Sequence, residues 1–259
     1  MAVSNLVALV IASAILVVCE SGFVDTLPKC KAWDYECQRN VMQLVVRNLG
    51  STGIRDLDNS LADPLDISGL HVPVYDLIDV TFIQGDVRGV KGCTVSKFIT
   101  NFELGQISGE LICDILAQGK YTTSSYNPFV KVFLGTEALH GEGTGQVKIE
   151  KLKISFDYPF DLVRRSNDLY INSQVGKANL TFDVLDKVQF HADTGAAKDQ
   201  SSEILIKILN DNWKLVMDFV WRIIKDVGTG YIYDFSTKFF DNVPLKYFIQ
   251  DGLSPQSYY

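Results

Sequence analysis

The chain has 259 residues, of which 47% are hydrophobic and 21% charged, a composition that excludes a disordered protein and provides for a sizeable core. Its formal net charge of −7 excludes a nucleic-acid partner, because counterion release needs clustered Lys and Arg, and Arg164-Arg165 is an isolated pair.

Residues 2–18 are almost wholly apolar, and the first charged side chain is Glu20. The run has the hydrophobic segment of a secretory leader and falls short of the about 20 retained apolar residues that span a membrane. Cys19-Glu20-Ser21 offers small residues at the two positions a signal peptidase reads. Residues 1–21 are therefore read as a signal peptide and 22–259 as one secreted, extracellular domain.

Cleavage removes Cys19 and leaves Cys30, Cys37, Cys93 and Cys113, an even number in an oxidising compartment, where pairing is the default. A Cys30–Cys37 bridge closes a loop of about eight residues, for a stabilisation of about 2.5 kcal/mol. Cys93 and Cys113 flank a turn expected at Asn101 to Gly105, which leaves two readings, a cross-hairpin bridge or free buried thiols. Zinc and other metals are disfavoured, since neither pair has C-x2-C spacing and no histidine is near either in sequence.

Asp34 is a ready N-cap for a helix ending before Gly50, with Cys37, Val41, Leu44, Val45 and Leu49 on one face. From about Ile67 to Phe190 the period changes to two, predicting strands at Val72–Val80, Val95–Phe102, Gln106–Tyr121, Phe129–Gly135, Gln146–Phe156, Asp168–Gln174 and Lys177–Phe190. Strands of this length imply an extended, strongly curved antiparallel sheet. Gly141-Glu142-Gly143-Thr144-Gly145 mimics a phosphate loop but leads into strand sequence, so it is expected to be a hairpin turn. Asn179-Leu180-Thr181 is a glycosylation sequon, expected on a loop or strand edge.

Helical period returns after Ser201, with Leu205, Leu209, Trp213, Val216, Val220, Ile224, Val227, Tyr231, Phe235 and Phe239 in one stripe. A second row at Ile204, Ile208, Leu215, Phe219 and Ile223 widens it, as expected for a helix covered on several sides. Continuous from 201 to 241, such a helix is about 60 Å long, with Gly228 and Gly230 as bending points and Pro244 as its stop. Neither the sheet nor the helix buries its apolar face alone, so the expected α+β architecture wraps the sheet around the helix.

An ordered set of short motifs runs along this pattern: Leu27-Pro28-Lys29-Cys30, Cys37, Asp63-Pro64-Leu65, Leu209-Asn210-Asp211-Asn212-Trp213 and Phe239-Phe240-Asp241-Asn242-Val243-Pro244. In these the chain resembles the insect haemolymph juvenile-hormone-binding and takeout family over nearly its whole mature length. The resemblance implies a curved sheet around a long C-terminal helix, an internal tunnel holding one elongated hydrophobic ligand, and carriage without catalysis or cofactor. Hormone-binding members carry a second disulfide late in the domain, whereas this chain has no cysteine after Cys113, which favours a takeout-like member.

Trp33, Val41, Val45 and Leu49 before and on the first helix, with Leu209, Trp213, Val216 and Val220 on the long one, are the candidate lining, and the disulfide-tethered first helix is the candidate gate. Each is individually an ordinary core position. The partner expected is a hydrophobic small molecule bound by a monomer. Transient membrane contact, through the aromatic tail from Tyr247 to Tyr259, defines a second reading as a membrane-active lipid binder. A secreted hydrolase is a third, but His71, His140 and His191 are scattered, and no G-x-S-x-G or H-E-x-x-H is present. Asp56 with Asp58, or Asp76 with Asp79, are read as solvated loop carboxylates.

Overall fold

The computed structural model describes residues 22–51, 63–74, 78–128, 139–193 and 200–251. The expected signal peptide, the expected strand Phe129–Gly135, and Asp56, Asp58 and Asp76 fall outside the described residues. In chain order the elements are α1 (Tyr35–Ser51), β1 (Leu65–Asp66), β2 (His71–Val74), β3 (Ile78–Arg88), β4 (Thr94–Asn101), β5 (Gln106–Ser125), β6 (Leu139–Arg165), β7 (Asp168–Ser173), β8 (Asn179–Val184), β9 (Val188–Asp193), α2 (Gln200–Asp211) and α3 (Trp213–Phe240).

The strands form one antiparallel sheet organised on β6, a strand of 27 residues that pairs with β5, β7, β8 and β9. A strand this long keeps a single face apolar only if its alternation is maintained or deliberately reset. Here it is reset once. The register passes from Ile115↔Ile149 to Cys113↔Leu152, two β6 residues opposing one of β5, and Lys151 at the bulge has φ 53°. Val147 and Ile149 face inward before it, Leu152, Ile154, Tyr158 and Phe160 after it. The Lys151 amide donates to Asp114 Oδ1 at 2.9 Å, and its carbonyl accepts from Leu185 N at 3.1 Å.

That bulge explains a departure from the expected strands. The run Lys177–Phe190 is two strands, β8 and β9, separated by Leu185–Lys187 opposite the bulge, where Glu150 N donates to the Lys187 carbonyl. The turn at Asn101–Gly105 forms as expected. The expected turn at Gly141–Gly145 does not: those residues continue β6, paired with β5 and, at Thr144 and Gly145, with β9. Val72–Val80 is not one strand, since β2 folds back on β3 with Val74 opposite Ile78.

The long helix is broken at one residue. Asn212 leaves the helical basin (φ −118°, ψ 26°), so α2 and α3 meet there rather than bending at Gly228 or Gly230. Two residues earlier Asn210 fastens α2 to β9, accepting from Phe190 N at 2.8 Å and donating to its carbonyl at 2.9 Å. α3 then packs against β2 on one side of the sheet and β7 and β8 on the other, so the curled sheet closes around the helix.

α1 begins where Asp34 Oδ1 accepts from Cys37 N at 3.0 Å, and buries Gln38, Val41, Met42 and Val45. Two glutamines dock it on the open edge of β4: Thr100 N donates to Gln38 Oε1 at 2.9 Å, and Gln43 accepts from Val95 N at 2.8 Å while donating to the Cys93 carbonyl. Side-chain amides thus stand where another strand would pair. Cys30 bonds Cys37, and Cys93 bonds Cys113 across the β4–β5 hairpin, so the bridge reading holds over free thiols. Asp63, of the Asp-Pro-Leu motif, accepts from Gly89 N and Lys91 N, each at 3.0 Å, at the short helical turn before β4.

Because Lys151 occupies a conformation that costs an L-residue about 1–2 kcal/mol, Lys151→Gly is expected to raise unfolding stability by up to about 1 kcal/mol, and Lys151→Val to lower it by at least about 1 kcal/mol. Urea denaturation of the two variants checks this. A Lys151→Val protein as stable as the parent removes the bulge from its central place.

Candidate functional site

The inward faces divide into two regions. Near the end of α3 an aromatic core fills the space: Phe239 and Phe240 lie 5.1 Å apart edge to face, with Phe98 and Phe248 against Phe240 and Phe102 against Phe160. Within it the Tyr158 hydroxyl and Ser236 Oγ share a buried 2.9 Å hydrogen bond, and burial pushes the Tyr158 phenol pKa well up. Toward α2, between the sheet and the helices, the space is not filled.

That space is an elongated cavity of about 400 Å³, within the range of small-molecule sites. Its floor comes from alternate residues of the strands, Val80 and Phe82 of β3, Ile115 of β5, Val147 and Ile149 of β6, and its roof from the helices. Among the described residues no Asp, Glu, Lys or Arg lines it. Among the described residues the polar ones at it include Tyr121 and Thr123 of β5 and Tyr231 on α3, with Gln146 and His191 at the boundary it shares with an outer groove. Loss of solvent, and then the negative charge of Asp63, push the Tyr231 phenol pKa up to about 12. Tyr121 shifts upward too, by desolvation first and Asp193 second. Both phenols are neutral, hydrogen-bonding groups at ordinary pH.

Glycines create part of this room. Gly85, Gly119 and Gly145 are opposite one another on β3, β5 and β6, and Ala192 of β9 continues the row. A β-carbon on Gly119 would stand 2.2 Å from the Gln84 carbonyl oxygen, and one on Gly145 3.0 Å from the Tyr121 ring. The sheet thus folds too tightly along this line to admit side chains.

Of the residues expected to line a tunnel, Leu209, Val216 and Val220 face the cavity. Trp213 packs beside it, with Ile149, Leu152, Val188 and Met217, and is not part of the lining. Val41 and Val45 are in the filled aromatic core, buried between α1 and β4, and Trp33 is 66% exposed. The Leu49 side chain lies outside the described residues. The first helix is therefore a cover for the core and for the β4 edge, and the amide bonds of Gln38 and Gln43 replace the expectation of a gate. Sequence reasoning missed the strand contribution, though the period-two residues of β3, β5 and β6 carried it, and it missed that Cys93 and Cys113 line the wall.

Other singled-out residues are dispersed. His71 Nδ1 is 3.1 Å from Thr81 Oγ1 and Nε2 is 3.3 Å from Asp79, at an exposed position. His191 borders an outer groove, and the His140 side chain lies outside the described residues. Asn179 is exposed at the start of β8, its amide 3.4 Å from Asp157. In the described part of the aromatic tail Phe248 and Ile249 are buried in the core, and the Ile249 backbone pairs with Cys30, while Gln250 is exposed. Among the described residues no group of three or more His, Cys, Asp or Glu is arranged to hold a metal, and no helix is long and apolar enough to cross a membrane.

A curled antiparallel sheet closed by a long helix over an uncharged cavity defines the takeout type of α+β fold. The structure of Takeout 1 from Epiphyas postvittana superposes with a TM-score of 0.73 at 19% identity, over 86% of this chain and 99% of that one. A lipopolysaccharide binding protein matches weakly, at a TM-score of 0.38 and 13% identity over 67% of this chain and 33% of that one. No curated protein matches. The haemolymph juvenile hormone binding protein family profile matches residues 6–250, and the chain belongs to that family, whose members are carriers of hydrophobic ligands.

The two regions are expected to respond differently to substitution. Val220→Trp, on the cavity, retains the fold and weakens a long apolar probe by about tenfold or more, read by fluorescence titration. Val45→Asp, a buried unpaired charge, instead costs several kcal/mol of stability in thermal unfolding.

Proposed function

We propose that this protein is a secreted carrier that holds one elongated, uncharged hydrophobic molecule in the cavity, a terpenoid or a neutral fatty-acid derivative, and releases it unchanged. The observation that carries this reading is that, among the described residues, no charged side chain lines a cavity bounded by strands of the sheet and both C-terminal helices. An ionised carboxylate placed inside would lose its hydration without a cation to meet it, a penalty of several kcal/mol. A neutral chain of about 15 methylene groups gains roughly 12 kcal/mol gross at about 0.8 kcal/mol each. With an association cost of about 4 kcal/mol, about 8 kcal/mol remains, which corresponds to micromolar affinity.

Secretion belongs to the same proposal. It is supported by the apolar leader sequence, by the two disulfides and by a family name that places its members in haemolymph. Residues 22–259 act as one domain and as a monomer in this reading, and the exposed Asn179 is available for glycosylation. No cofactor is required, because binding and release involve no bond-making step.

Organic extraction of protein purified from a secreting host, followed by mass spectrometry, is expected to yield one neutral apolar molecule per chain. Delipidated protein is expected to bind a fluorescent apolar probe with micromolar or better affinity and to give it up to that molecule. Recovery of no apolar ligand together with no probe binding sinks the carrier reading.

A further inference from the structure

The cavity meets the surface at two recesses that share part of its lining. One lies on the outer face of the sheet and shares Gly145, Gln146, His191 and Ala192 with the cavity. There the partition is the paired backbone of β3, β5, β6 and β9, along the row Gly85, Gly119, Gly145 and Ala192. Passage would require those ladders to part.

The other recess is a different kind of boundary. Leu65, Ile67, Leu70, Val227 and Tyr231 line both it and the cavity, and the rest of its wall is Asp66, Ser68, Gly69 and Asp234. β1 is only two residues long. The main-chain bonds of segment 65–70 run to β3, as from Ile67 N to the Gly85 carbonyl (2.9 Å) and from Gly69 N to the Phe82 carbonyl (2.7 Å), or stay within the segment. Among the described residues no main-chain hydrogen bond joins α3 to the segment, so this seam can widen there without breaking a ladder.

The rim of the seam is acidic. Asp66 and Asp234 stand on it, and among the described residues no Lys or Arg lines the recess. Asp66 accepts from Ser68 N at 2.9 Å and Ser68 Oγ at 2.6 Å, bonds that hold its carboxyl below the usual range and keep it ionised. Arg88, which senses Asp63, is paired with Asp86 at 2.6 Å.

We propose that the ligand enters and leaves through the seam between Leu65–Leu70 and the Val227–Asp234 stretch of α3, and that Asp66 and Asp234 on its rim select neutral amphiphiles over ionised fatty acids. This rests on the carrier reading above and assigns it a route and a selectivity. The cavity lining disfavours a carboxylate at equilibrium, while the rim opposes its approach, so the two effects separate into affinity and association rate.

The test uses the mature, disulfide-bonded protein, stopped-flow fluorescence, and a fluorescent stearic acid beside its methyl ester. At neutral pH and low salt the ester is expected to associate about five- to tenfold faster than the acid, a gap that narrows as salt screens the rim. Asp234→Asn, at an exposed helix position, is expected to accelerate the acid about threefold, and Asp234→Arg further, with the ester rate within about twofold of the parent. Lys120→Gln, beside the other recess, is expected to leave both rates unchanged. Acid association indifferent to Asp234 substitution, or altered instead by Lys120→Gln, overturns the route while ester binding keeps the carrier reading intact. Failure of the parent protein to bind either probe overturns both.

Discussion

The inward face of β6 is the constraint on which the rest of this structure depends. Four strands pair with β6, so any slip in its alternation would turn apolar side chains outward across the whole sheet. The bulge at Lys151 keeps Val147 and Ile149 on the same side as Leu152 and Ile154. It also divides the partner edge into β8 and β9 and takes up Asp114, whose carboxylate satisfies the extra amide. One residue in a left-handed conformation thus sets the register of the central strand and the place where its neighbour breaks.

Curvature then decides what is filled and what is left open. At the Phe239 and Phe240 end, large rings from β4, β6 and α3 meet and close-pack, as a core does. At the other end the glycine row lets the sheet fold sharply, and the inward residues, mostly aliphatic with a few rings such as Phe82 and Tyr121, leave a gap to the apolar helix surface along 205–232. A cavity with such walls excludes charge and leaves dispersion and desolvation as the forces available to a guest, which is the physical basis of carriage without chemistry.

The N-terminal helix shows how a cover differs from a gate. Its disulfide tethers it at one end, but its hold on the body comes from the amides of Gln38 and Gln43, which satisfy backbone groups on β4, and from Val41 and Val45 in the aromatic core. Moving it would expose that core and leave an unpaired strand edge. At the seam beside β1 no main-chain hydrogen bond joins the two sides among the described residues, so parting them there breaks no ladder.

Much of the fold was legible in local patterns. Asp34 capped α1, Asn101–Gly105 turned, period two marked most strands, and the apolar stripe after Ser201 marked the helices, because backbone periodicity is written in neighbouring residues. The resemblance carried by the ordered motifs led to the family and to the sheet around the helix. What only the tertiary structure decided was which apolar residues line space and which fill it. Val45 and Val220 both occupy apolar positions on amphipathic helices, yet one is clamped against β4 and the other overlooks the cavity. Likewise Gly141–Gly145 has the composition of a turn and is strand, because it pairs with β5 and, at its end, β9, and a β-carbon at Gly143 or Gly145 would crowd Asp193 or Tyr121. Those outcomes depend on curvature and on the residues brought opposite from far along the chain, and no local window of sequence contains them.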